Sequence, residues 1–195
     1  MPTLRLLFIV LCIVAGLRAA DTPRGPEIVF AGEKLSLAYV EVMPDGSVLN
    51  EYIPAGETAE TWTVLVALRH HPESFVDEIV LRWRTYLAGL PTDGLVLKEF
   101  QANTRTDQRF TLSLRDPADR FLELNAMRFT TDASGRGVSY YQAAVRCYDL
   151  KSAAALEKAL KKQDAFEAAL PSLALEPVRT PLAAAEAVSE PPSAP

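Results

Sequence analysis

The chain has 195 residues, 49% hydrophobic and 23% charged, with a net charge of −5. That composition can fill one well-formed core, while the acidic balance and the scattered Lys and Arg argue against nucleic acid as a partner. Two cysteines, Cys12 and Cys147, provide no disulfide framework of the kind that staples small exported domains.

Residues 1–19 read as a secretory signal. Arg5 precedes the apolar run Leu6 to Leu17, and Ala19, Ala20 and the polar Asp21 follow. The run is well short of the roughly 20 apolar residues of a membrane span, and a basic start with small residues behind it is the pattern of a cleaved leader. Cutting after Ala19 leaves Leu17 and Ala19 at the two positions that should be aliphatic or small. An uncleaved anchor is the alternative and fits the length less well. Cleavage removes Arg5, Arg18 and no acid, so the net charge deepens from −5 to −7. It also removes Cys12, leaving Cys147 as the single thiol.

Between Glu27 and Leu150 the period is mostly two. Leu35, Leu37 and Tyr39 alternate, then the apolar phase slips to Val40 and Val42, which predicts a strand with a bulge. Pro44-Asp45-Gly46 supplies turn chemistry and Val48–Ile53 returns, so 34–53 reads as a hairpin. Residues 62–69 are apolar on both faces, as in a central strand. After His70-His71-Pro72 the repeat changes to 3.6: Val76, Ile79, Val80, Trp83, Tyr86, Leu87 and Leu90 form one stripe. Acids in the first turns and Gly89 before Pro91 bound a helix at about 73–89. Strands follow at 95–103, 110–115, 120–130 and 138–148, in series with short links, as in an antiparallel meander.

Residues 151–170 favour a C-terminal helix, at about 152–169, with Ser152 as its cap and a thin stripe of Leu156, Leu160 and Phe166. Residues 171–195 hold six of the 14 prolines and few bulky apolar side chains, and read as a disordered tail. The whole predicts an α+β domain at 20–150: one antiparallel sheet of about six to seven strands with a core helix and a C-terminal helix.

The segment Asn50-Glu51-Tyr52-Ile53-Pro54-Ala55-Gly56-Glu57, with Trp62 five residues on, resembles a stretch found in small uncharacterised bacterial exported proteins. The strand order is similar to that of the PsbP/Mog1-like α/β/α sandwich. The resemblance covers about 100 residues and carries no catalytic signature. It implies a binding or assembly factor, and transfers no site residues.

Chemistry has few places to sit. His70 and His71 are the only histidines, and neighbours on a strand point to opposite faces, so they do not form one metal site together. A site would need one of them with Glu73 or Asp77. Asp116 and Asp119 flank Pro117 in a turn, where Asp serves local hydrogen bonds. No Gly-x-Ser-x-Gly, Cys-x-x-Cys or His-Glu-x-x-His is present. Cys147 shares the parity of Tyr141, Ala143 and Val145, and should be buried. Tyr140, Gln142 and Arg146 share the other parity and are expected as an exposed contact row, since Tyr and Arg are enriched at interfaces. Trp62 and Trp83 are expected in the core, against the sheet around Trp62 to Leu68, with a ligand platform as the less favoured use. No cofactor or metal is expected. The expectation for function is an exported, non-catalytic binding or accessory module of the cell envelope whose partner is another envelope protein. A periplasmic enzyme or metal protein using His70 or His71, and a scaffold tethered by its tail, are the alternatives.

Overall fold

A computed structural model describes residues 25–89 and 95–182, with backbone alone for 95–104. Its eight strands form one antiparallel sheet: β1 (Glu27–Phe30), β2 (Glu33–Val42), β3 (Val48–Ile53), β4 (Val64–His71), β5 (Leu95–Thr104), β6 (Asp107–Arg115), β7 (Leu122–Thr131) and β8 (Val138–Cys147). Their order is β1-β2-β3-β4-β8-β7-β6-β5. Two four-strand meanders therefore meet where β4 pairs with β8, with Val64 opposite Val145 and Leu68 opposite Tyr141. Helix α1 (Val76–Ala88) crosses from β4 to the far edge, and α2 (Ala153–Ala169) follows β8. This is the α+β architecture expected, with α2 starting at a Ser152 side chain that accepts from the Ala155 amide and the β2 bulge falling between Leu37 and Tyr39.

The strand beyond the expected count is β1. It turns into β2 through Ala31 and Gly32, with φ of 48° and 82°. A two-residue turn of this kind needs left-handed backbone at both positions, and Ala is an unusual residue to hold it. At the next hairpin Gly46 has φ of 81°, and Asp45 Oδ1 accepts from the Ser47 amide at 2.8 Å, the Asx chemistry that Pro44-Asp45-Gly46 predicts.

The sheet buries two faces. On the α2 face, Leu35, Leu37, Tyr52, Val66, Leu68, Leu124, Ala143, Val145 and Cys147 pack with Phe166 and Leu170. Cys147 is buried, as its parity requires. On the α1 face, Phe110, Leu112, Met127, Phe129, Val138 and Tyr140 pack under Val76, Ile79, Val80, Trp83 and Leu87. Trp83 thus lies over β6 to β8, 6.3 Å from Phe110 and 5.5 Å from Tyr140 between ring centroids, not over the stretch from Trp62 to Leu68. Helix α1 leads to the β5 edge, which carries it over that half of the sheet. Tyr86, at 37% exposure, lies at the margin of the stripe.

Two further expectations are corrected. Helix α2 docks through Ala159, Gln163 and Phe166, and Leu160 is exposed. Its neighbour Ala159 sits one helical turn from Gln163, whose Nε2 donates to the Asn125 carbonyl at 2.9 Å, and that pairing sets the rotation. Residues 171–182 are not a free tail. Beyond a short 3-10 turn at Leu170–Ser172, Leu173, Leu175, Val178 and Leu182 pack on the α2-face core. Val178 exchanges two hydrogen bonds with the buried Asn50 side chain, at 2.8 and 2.7 Å. A buried amide that needs partners outweighs the proline-rich composition there. The expected signal at 1–19 and the end of the tail at 183–195 lie outside the described residues. No helix among the described residues is long and apolar enough to cross a membrane.

Candidate functional site

Among the described residues, helix α1 packs on one half of its face and contributes no residue to the cluster on the other. Over β2 to β4 and the adjoining part of β8, the buried residues Leu49, Ile53, Leu65, Ala67 and Ala144 form a cluster closed by Trp62, with Ala38 and Tyr39 at its edge and no helix residue among its members. Half-buried Tyr39, Glu51, Arg69, Gln142 and Arg146 stand among them. Strand pairing orders these side chains into rows. Tyr39, Glu51, Ala67, Gln142 and Met127 are successive cross-strand partners, and Arg69 lies opposite Tyr140.

All five residues expected at a contact site lie on this one side of the molecule, but not as a free row. Tyr140 is 1% exposed. Alternation places it opposite to Tyr141 as expected, yet its side is roofed by Trp83, so its ring belongs to the core, and burial raises its hydroxyl pKa. The ring stacks on Phe129 at 4.5 Å. Its Oη donates a long hydrogen bond to Gln142 Oε1 at 3.5 Å, and Gln142 Nε2 donates to Asn125 Oδ1 at 2.7 Å. The Arg69 guanidinium lies 5.9 Å from the Tyr140 ring centre. Two buried donors along this border, Arg69 Nε and Asn125 Nδ2, have no hydrogen-bond partner.

Arg146 closes the other end. Its guanidinium sits 3.7 Å from the centre of the Trp62 ring and 4.2 Å from that of Phe121, and Nε donates to Glu123 Oε2 at 3.1 Å. A planar cation between two aromatic faces with a carboxylate at its edge combines ring stacking with a charge-assisted hydrogen bond. It also occupies the Trp62 ring. Neither tryptophan therefore offers a free platform, since Trp83 is ringed by Phe110, Phe129, Tyr140 and Tyr86.

The histidines end β4 on opposite faces, His70 opposite Ser139 and His71 opposite Val138. His70 Nε2 lies 3.9 Å from Asp132 Oδ2, while its buried Nδ1 has no hydrogen-bond partner. Burial lowers its pKa against the pull of Asp132. His71 Nδ1 lies 3.1 Å from Ser47 Oγ. Burial, reinforced by the charge of Arg69, lowers its pKa to about 4. Among the described residues no group of three or more His, Cys, Asp or Glu side chains is placed to hold a metal ion. Asp116 is spent within its turn: it accepts from the Ala118 and Arg120 amides and from the Arg120 guanidinium. The Arg120 side-chain hydrogen bond leads in holding its carboxyl down, to about 2. Asp119 instead pairs with Arg115 at 2.6 Å.

Arg69, Glu123 and Asn125 were not singled out by sequence reasoning. Asn125 had a signal, as an amide flanked by Leu124 and Ala126 in a strand with apolar residues on both faces, where an unexplained polar residue is the informative one.

A protein-family model matches residues 24–175, and the chain belongs to that uncharacterised family. No curated protein and no solved structure matches it.

Proposed function

We propose that this member of the family is an exported, non-catalytic binding module of the cell envelope, which presents the half of its α1 face around Tyr39, Arg69 and Gln142 to another envelope protein. One observation carries the reading: among the described residues, the cluster of Leu49, Ile53, Leu65, Ala67 and Ala144 takes no helix residue as a member and is bordered by the half-buried side chains of Tyr39, Glu51, Arg69 and Gln142, whereas the neighbouring half of the same face packs under α1. An apolar floor set with Tyr39, Arg69, Gln142 and Arg146 has the make-up of an interface core and rim. The titratable side chains nearby are committed to the fold, Arg146 to Glu123 and His71 to Ser47, which favours recognition over turnover. Export is supported by the Leu6 to Leu17 run and the small residues Ala19 and Ala20.

Photo-crosslinking amino acids at Tyr39 and at Gln142 test the surface in a native envelope fraction. The expected result is one shared adduct from both positions and none from Lys158 on the outer side of α2. Equal capture from Lys158, or capture from neither face position, overturns the reading. Mass spectrometry of the exported protein tests the address. An N-terminus at Ala20 or Asp21 is expected, and an intact Met1 in a membrane-integrated product overturns it.

A further inference from the structure

The segment 173–182 lies on the other side of the sheet and is bound there in the manner of a peptide. Leu173, Leu175, Pro177 and Val178 are half-buried while Ala174 and Glu176 are exposed, the alternation of an extended chain in a groove. Pro177 and Pro181 suit that conformation and remove backbone donors. Among the described residues, no backbone-to-backbone hydrogen bond joins this segment to a strand. Side chains do the holding. Asn50, fully buried, uses its amide both ways on Val178: Nδ2 donates to the carbonyl and Oδ1 accepts from the N–H. Arg128 Nη1 donates to the Pro171 carbonyl at 2.9 Å, and Arg179 reaches back to the Gly46 carbonyl.

These hydrogen bonds read main chain while the core reads the apolar side chains of Leu173, Leu175, Val178 and Leu182, and the grip leaves Asn50 with a cost when the segment is absent, because a buried amide must then go partly unpaired. The family match adds a second observation. It spans 24–175, so Asn50 and Arg128 fall inside it, whereas Val178, Arg179 and Leu182 fall outside. The residues that hold the segment lie within the matched span, and its last seven residues lie beyond it.

We propose that the groove lined by Leu35, Leu37, Tyr52 and Asn50 is a binding site for an extended peptide segment of another protein, with small or branched apolar side chains at alternate positions, and that residues 173–182 are the built-in occupant this segment displaces. The proposal is independent of the surface proposed on the α1 face. A ligand competing with an internal occupant binds with its affinity reduced by the fraction of open grooves.

The test uses full-length protein and a fluorescent peptide with the sequence of residues 171–182. Anisotropy titration of the parent is compared with the double variant Val178→Asp/Leu182→Asp, whose charges cannot rest on the apolar core. The variant is expected to keep the sheet's circular dichroism and to bind the peptide about tenfold or more tighter than the parent, the gain that follows when the open fraction rises from about a tenth to near one. Adding Asn50→Ala should return binding to the parent's level. Amide hydrogen exchange on the parent gives an independent reading, with Val178 expected to exchange well before Val66 in β4. A folded variant that ignores the peptide, a variant that loses the sheet, or Val178 and Val66 exchanging together each overturn the proposal, since each shows the segment to be a fixed part of the core.

Discussion

Trp83 meets Tyr140 edge to face, with ring centroids 5.5 Å apart and planes at 89°. This contact joins α1 to the central strand β8 and places the helix over one half of the sheet. Tyr140 in turn stacks on Phe129, and Phe129 on Phe110, so the tryptophan caps a run of three aromatic rings across three strands. Trp83→Ala removes that cap and leaves a cavity, at a cost of about 3 to 5 kcal/mol, a large share of what a domain of this size has. Thermal unfolding should show a steep drop in Tm. Leu81, 64% exposed on the same helix, is the control: Leu81→Ala should stay within about 0.5 kcal/mol of the parent. A parent-like Tm for Trp83→Ala would show that α1 does not close the core.

Arg146 and Glu123 are side chains only 10% and 12% exposed. Removing one partner leaves the other charge buried, and such losses run to about 3 kcal/mol or more, whereas apolar replacement of both can be close to neutral. Arg146→Met should therefore destabilise strongly in urea titrations, and Arg146→Met with Glu123→Leu should recover much of the loss. The double variant also frees the Trp62 ring, so indole fluorescence should shift. If the two single losses simply add, the pair is not coupled.

Strand parity and the helices could be read from residue patterns because each depends on local spacing. Parity placed Cys147 and Tyr141 together, put Tyr140, Gln142 and Arg146 on the other side, and sent His70 and His71 apart. It says nothing about what lies over a face. Tyr140 is buried and Gln142 is half-buried because α1, only 13 residues long, reaches the β8 side and stops. That limit comes from a crossover and from Trp83 finding Phe110 and Phe129 in distant strands. β1 leaves a weak signal because it is only four residues long and Ala31, where Asn or Gly is usual, holds the first left-handed position of its turn. The packed part of the tail escaped because its anchor, Asn50, is 128 residues from Val178, and composition does not see long-range partners.

Cys147 is 5% exposed in β8, and its thiol reaches toward the Asp149 carbonyl at 3.6 Å. Cys147→Ser should fold and lose at most ~1 to 2 kcal/mol. In the parent, a thiol reagent such as 5,5′-dithiobis(2-nitrobenzoate) should label slowly in buffer and fast in denaturant, with the native rate set by opening of the sheet. Immediate stoichiometric labelling of native protein would show that the thiol faces solvent.

Acid should weaken the fold before the carboxylates titrate. His71 has its pKa lowered from 6.5 to about 4, and that of His70 is lowered as well, in both cases chiefly by burial. A histidine held below its unfolded value is neutral in the folded chain while the unfolded chain takes up a proton. The unfolded state then binds more protons, so stability rises with pH. The contribution is complete above about pH 6.5 and drains away as pH falls toward 4, with His71 accounting for roughly 2 to 3 kcal/mol of it. Asp45, Asp107, Asp116 and Asp132 have lowered values, so their contributions are lost only at more acidic pH, below the unfolded carboxylate range. Denaturant midpoints of the parent should hold from pH 7.5 to about 6.5 and fall from there to 4.5. His71→Gln keeps a hydrogen-bonding group near Ser47 and cannot be protonated, so its midpoint should change much less over that range, and the profile with His70→Gln added should be flatter still. A parent midpoint unchanged from pH 7.5 to 4.5 would mean that neither ring is held neutral by the fold.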